Sequence, residues 1–178
     1  MKTKTTFVTP KGVAAYPYLT RADYAYNVEG IYKTKLRVDE ADAKELMADI
    51  KALIVEEFGS NAKAAKLPFK KDPDTGMIEF NTKSKFKPKL MDSKGSVIPE
   101  DTAPPIYGGS VLKGAGTLYP YNAGGNIGIS MQLGGVQVIE LSDGGGSDFA
   151  FVEEEGGYVS EPTAANDNEA AGDEAYNF

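Results

Sequence analysis

The chain contains no cysteine and no histidine. Disulfides, thiolate nucleophiles, imidazole bases and zinc centres built on either residue are thereby excluded, which leaves carboxylate chemistry, hard cations on oxygen ligands, or binding. It also lacks any run near the roughly 18 apolar residues of a membrane helix, and no apolar segment follows the basic start MKTKTTFVTPKG. Neither a membrane span nor a secretion signal is expected, and the expected location is the cytoplasm. A third absence is directional. All nineteen lysines and arginines lie in residues 1–141 beside sixteen acids, whereas residues 142–178 hold ten acids and no base. The net charge of −7 thus hides a body with a surplus of three positive charges joined to a strongly acidic extension.

The length of 178 residues accommodates one domain and a tail. Twenty glycines and ten prolines suit a turn-rich β-structure better than a helical bundle. In VEGIYKTKLRV, Tyr32, Thr34, Leu36 and Val38 alternate with Ile31, Lys33, Lys35 and Arg37, so a strand with an apolar and a basic face is expected. Leu46, Met47, Ile50, Leu53, Ile54 and Phe58 then recur at helical spacing, with Asp39 as the expected cap and Gly59 as the stop. Residues 60–75 read as a loop.

From Met77 the period returns to two. Ile78, Phe80, Thr82, Ser84 and Phe86 fall on one side of a long strand, and Glu79, Asn81, Lys83, Lys85 and Lys87 on the other, with Lys89 following Pro88. A turn at 92–95 and a proline-rich connection at 99–109 lead to two last strands, SVLKGAGTLYPY and NIGISMQL continuing into VQVIEL. Many short strands, one helix and glycines at bulge positions suggest a small antiparallel barrel, with a sandwich as the rival. After Leu141 the composition is too polar to pack a core, and a mostly disordered tail is expected.

Two basic rows carry the functional signal. Lys83, Lys85, Lys87 and Lys89, and the shorter Lys33, Lys35 and Arg37, place like charges about 6–7 Å apart along a strand face, near the phosphate spacing of an extended nucleic-acid strand. Such rows also serve as solvated faces or protected edges, but two of them in one body beside an acidic tail favour an anionic partner. Aromatics supply the second ingredient of single-strand binding, the stacking of bases on rings. AYPYLTRADYAY provides Tyr16, Tyr18, Tyr24 and Tyr26, and LYPYNAGGN provides Tyr119 and Tyr121, of which the last two are the expected platforms. The glycines match neither the phosphate-binding Gly-x-x-x-x-Gly-Lys-Ser/Thr nor a helix-opening Gly-x-Gly-x-x-Gly. Acids cluster in the helix and loops, with Asp39, Glu40 and Asp42 at a helix start where the dipole favours them, so no enzyme is expected.

In order along the chain, AYPYLTRADY, EGIYKTKLRV, the helix, FNTKSKF, DSKG, YGGSVL, LYPY, IELSDGGG and an acidic end closing on Phe178 resemble the phage single-stranded DNA-binding proteins of the short-tailed type. The resemblance implies a mainly β OB-fold, a five-stranded antiparallel barrel with one main helix, over residues 1–146, followed by a flexible acidic tail at 147–178. It implies sequence-independent binding of single-stranded DNA in phage replication and recombination without a cofactor, and commonly a homodimer. It further implies that the tail, through Asp173, Glu174, Tyr176 and Phe178, docks on DNA polymerase and helicase or primase and competes with DNA. Expected phosphate contacts are Lys33, Lys35, Arg37, Lys83, Lys85, Lys87 and Lys89, joined by Arg21 and Lys113, with stacking on Tyr119 and Tyr121. The rival reading is an acidic-tailed interaction or assembly module in which the basic rows meet another protein.

Overall fold

A computed structural model describes residues 5–142; the boundary expected at 146 and the tail residues Asp173, Glu174, Tyr176 and Phe178 lie outside them. The described chain forms eight strands and one long helix: β1 (Thr6–Val8), β2 (Gly12–Asp23), β3 (Ile31–Val38), α1 (Glu40–Phe58), β4 (Phe69–Lys71), β5 (Ile78–Ser84), β6 (Lys89–Met91), β7 (Val111–Ala123) and β8 (Asn126–Glu140). Among the described residues no helix is long and apolar enough to cross a membrane.

Five strands close on themselves. β2 pairs with β3, β3 with β5, β5 with β8, β8 with β7, and β7 returns to β2. This is a partly open five-stranded barrel of the OB type, whose β2–β7 and β5–β8 seams are each two residue pairs long, with β1, β4 and β6 added on β7, β5 and β8. The expectation of a wholly antiparallel barrel needs one correction. The β5–β8 seam is parallel, with Thr82 opposite Met131 and Lys83 opposite Gln132, and β6 also runs parallel to β8. Hairpin partners can pair antiparallel, but β5 and β8 are separated by β6 and β7 and so meet through a long crossover.

The alternation read in β3 is realised. Thr34, Leu36 and Val38 are buried while Lys33, Lys35 and Arg37 point outward. In β5, Ile78, Phe80 and Thr82 face the core, and the Thr82 hydroxyl donates to the Thr34 carbonyl at 2.9 Å, so the one polar inward group has its partner. Helix α1 buries Leu46, Ile50, Leu53 and Ile54 against Val38, Ile78, Phe80, Leu118, Ile129 and Met131. A second cluster around Leu19, Leu36, Leu112, Leu133 and Val138 fills the rest of the barrel. Each fully buried Leu or Phe contributes about 1.5–3 kcal/mol by leaving water. Asp39 stands at the helix start as expected, but its backbone carbonyl accepts from the Asp42 and Ala43 amides and its side chain makes no capping bond. Gly59 ends the helix at φ 51°, a left-handed conformation that glycine adopts without strain.

The strand from Met77 is shorter than its alternation suggested. It ends at Ser84, whose hydroxyl accepts from the Phe86 amide at 3.0 Å, and Phe86 is 81% exposed instead of joining Phe80 in the core. The uninterrupted lysine row is therefore corrected: Lys83 lies in β5, Lys85 and Lys87 follow its end, and Lys89 opens β6.

Candidate nucleic-acid interface

On the outer surface of β3, β5 and β8 lies an open groove of about 910 Å³. Four tyrosines, Tyr16, Tyr18, Tyr119 and Tyr121, and four lysines, Lys33, Lys35, Lys66 and Lys83, line it together with Asn81, Ser130 and Gln132, and no carboxylate is among the lining residues. The floor follows from register. Tyr18 is opposite Lys33 across β2–β3, Lys33 is opposite Lys83 across β3–β5, and Lys83 is opposite Gln132 across β5–β8. One row of outward side chains thus crosses four strands at about 4.8 Å per step. Lys33 and Lys83 are cross-strand neighbours of like charge, and the Asp23 carboxylate 2.6 Å from the Lys33 ammonium offsets part of that cost.

The tyrosines arrive from two sides. Tyr119 and Tyr121 sit on β7 opposite Ser130 and Gly128. A β-carbon on Gly128 would stand 2.6 Å from the Tyr121 hydroxyl and 2.7 Å from the Lys66 carbonyl, so only a glycine lets the ring and the neighbouring chain lie this close to β8. The Lys66 amide donates to the Ile127 carbonyl at 2.8 Å and the Ile129 amide to the Lys66 carbonyl at 3.2 Å, which brings Lys66 to the groove's rim.

On the other side, β2 breaks register between Ala15 and Tyr18, and Tyr16 holds φ 52°. A left-handed backbone costs a non-glycine residue about 1–2 kcal/mol, and such strain gathers where a side chain must be aimed. Here the bulge turns Tyr16 outward at 59% exposure. Lys35 lies 5.9 Å from the centre of the Tyr16 ring and Lys33 lies 5.6 Å from that of Tyr18, both within cation–π range. Lys33 also meets the Asp23 carboxylate at 2.6 Å; this bond, joined by one from the Ala25 amide, holds the Asp23 carboxyl below its usual range.

Of the residues expected from sequence, Lys33, Lys35, Lys83, Tyr119 and Tyr121 come together in the groove. The others do not line it. Arg37 is bound to Glu79 at 3.2 Å, Lys87 to Glu100 at 3.2 Å, and Lys89 sits opposite Gly135. Lys85 and Arg21 are exposed elsewhere, and Lys113 is half-buried on β7 opposite Gln137. Tyr16, Tyr18 and Lys66 also line the groove; the tyrosine-rich segment 15–26 signals the first two, and no local pattern signals Lys66.

No family model matches the chain. It is 31% identical over 189 residues to the single-stranded DNA-binding protein of Enterobacteria phage T3, covering 82% of this chain and 81% of that protein. To the protein of the same name from Escherichia phage T7 it is 30% identical over 205 residues, 90% and 88% of the two chains. The crystal structure of gp2.5, a single-stranded DNA-binding protein encoded by bacteriophage T7, superposes with a TM-score of 0.62 at 27% identity, over 86% of this chain and 99% of the other. The single-stranded DNA-binding protein from bacteriophage Enc34, solved in complex with ssDNA, shares the fold with a TM-score of 0.64 at 15% identity, over 78% and 88%. The names of these relatives describe binding proteins rather than enzymes. Identity that runs through most of the chain, on the same barrel, places the protein in the phage single-stranded DNA-binding protein family.

Proposed function

We propose that the protein binds single-stranded DNA, independently of sequence, in the groove between the two tyrosine pairs. The observation that carries this reading is the gathering of Lys33, Lys35, Lys66 and Lys83 in one open groove, with Tyr16 and Tyr18 on one side and Tyr119 and Tyr121 on the other. Lysines there neutralise phosphates, and Tyr16, Tyr18, Tyr119 and Tyr121 offer faces on which any base stacks. Duplex DNA keeps its bases paired and stacked, so the rings discriminate for single strands.

The test compares two triple variants of equal charge. Lys33→Ala with Lys66→Ala and Lys83→Ala should weaken oligo-dT binding strongly, whereas Lys85→Ala with Lys87→Ala and Lys89→Ala should leave it close to wild type. The reverse order would place the binding path on the strand end beyond Ser84 and sink this assignment.

The same reading extends to the acidic tail and to the setting, host-cell cytoplasm during phage replication and recombination. Ten acids tethered to a basic body reach a high effective concentration at the groove and compete there with DNA. Phe178, an apolar anchor beside Asp173, Glu174 and Tyr176, docks on the replicative polymerase and on helicase or primase, and the protein self-associates as a homodimer. Deleting residues 147–178 should raise DNA affinity most at low salt. Removing Phe178 alone should spare DNA binding and lose the partners in pull-downs from infected cells, and sedimentation of the intact chain should give a dimer's mass. A fall in DNA affinity on tail deletion would make the tail a solubilising appendage.

A further inference from the structure

Lys35 belongs to the groove and also to a second cluster beyond its edge. Its ammonium stands 3.7 Å from the Glu79 carboxylate, which takes Arg37 at 3.2 Å and Lys70 at 3.7 Å as well. Three strands meet there, because Arg37 is opposite Glu79 across β3–β5 and Lys70 is opposite it across β4–β5. The Glu79 side chain is only 8% exposed, while that of Lys70 is 67% exposed.

A single cation neutralises a buried carboxylate. Three around one carboxylate repel one another and leave a surplus that the acids nearby remove only in part. Glu40 is engaged by Lys71 at 3.1 Å. Asp72, whose carboxyl the Asp74 amide and, more weakly, Arg37 hold below the usual range, still leaves three cations facing two acids. The fixed carboxylate organises the cations, and the exposed Lys70 presents the surplus to solvent.

We propose that Lys35, Arg37 and Lys70, gathered around Glu79, form a phosphate-binding station beyond the groove that takes the backbone of a single strand after its bases leave the tyrosines. The proposal rests on the single-strand reading of the groove. It gives the strand a direction across the surface: along β3 the step from Lys35 to Arg37 is about 6–7 Å on one face, and β4 carries the path outward to Lys70. Arg37, which the groove itself excludes, thereby contacts DNA together with Lys70, a residue no sequence pattern singles out.

The station predicts a dependence on oligonucleotide length. The probes are oligo-dT of about 4 and about 16 nucleotides, the range of site sizes for one OB-fold, titrated at several salt concentrations against wild type, Lys70→Ala, Lys70→Arg and Lys51→Ala. Lys51 lies exposed on α1 and controls for net charge. Lys70→Ala should bind the short probe like wild type and the long probe several-fold more weakly, with the salt slope reduced by about 0.7, the value of one single-strand phosphate contact. Lys70→Arg should restore both, and Lys51→Ala should change neither. Equal loss on both probes, no loss on either, or the same effect from Lys51→Ala would overturn the station. Tyr121→Ala in parallel keeps the two claims apart. If it weakens the long probe while Lys70→Ala does not, the groove stands and the station falls; if wild type binds neither probe, the groove reading has failed first.

Discussion

The Lys33 ammonium lies 5.6 Å from the centre of the Tyr18 ring, its direct partner across the β2–β3 ladder. If single-stranded DNA occupies the groove as proposed, a base would take the cation's place on this ring and the ammonium would move to a phosphate. The two side chains should therefore fail differently. Tyr18→Ala should cost about 1–3 kcal/mol of oligo-dT binding with the salt slope unchanged. Lys33→Ala should lower the slope by about 0.7. Titrations at four salt concentrations measure both quantities in one series.

Asp23 restrains the same lysine. Its carboxyl titrates below its ordinary value of 3.8 because Lys33 and the Ala25 amide bond the charged form. Folding with a depressed carboxyl stabilises the protein above the unfolded pKa, and that contribution is lost as pH falls from about 3.8 through the lower folded value. Asp23→Asn should remove this acid-side part of the stability profile, seen as a smaller drop in Tm between pH 5 and pH 3. At neutral pH the variant frees Lys33 and should bind single strands more tightly, with a steeper salt dependence. Weaker binding would mean that Asp23 holds the lysine in its working position.

Gly128 is the support beneath Tyr121. Gly128→Ala places a methyl group 2.6 Å from the Tyr121 hydroxyl and 2.7 Å from the Lys66 carbonyl, and overpacking of this kind costs about 1–3 kcal/mol of stability. The ring must leave β8, so oligo-dT binding should fall toward that of Tyr121→Ala without a change in slope. Quenching of intrinsic tyrosine fluorescence by oligo-dT reports on this directly, since the chain has no tryptophan.

The basic face of β3 was legible because its two-residue period runs unbroken from Lys33 to Arg37 and its inward residues are all apolar or threonine. The wall formed by β2 was hidden. The Tyr16 bulge shifts the phase of the strand, so Ala14 and Ala15 are both buried and no alternation survives in the sequence. The lysines after Ser84 kept an alternating spelling after the strand itself had turned away, which is why only Lys83 reaches the groove. Lys66 was invisible for a different reason. Its place is set by backbone bonds to Ile127 and Ile129, more than 60 positions away, and nothing local encodes such a pairing.

Phe80 ties the floor of the groove to the helix side of the core. It is fully buried, with its ring centre 5.7 Å from that of Phe69. Phe80→Ala should cost about 3–5 kcal/mol in urea unfolding. Lys83→Ala, exposed on the opposite face of the same strand, should leave stability within about 0.5 kcal/mol of wild type.

Fluorescence anisotropy of labelled oligo-dT and of its duplex form over a range of salt decides whether single-stranded DNA occupies the lysine and tyrosine groove on the β3–β5–β8 face. Four groove lysines at about 0.7 each predict a slope of log K against log salt near −3 for the single strand, and much weaker binding of the duplex. Equal affinity for both forms, or a single-strand affinity indifferent to salt, would contradict that occupancy.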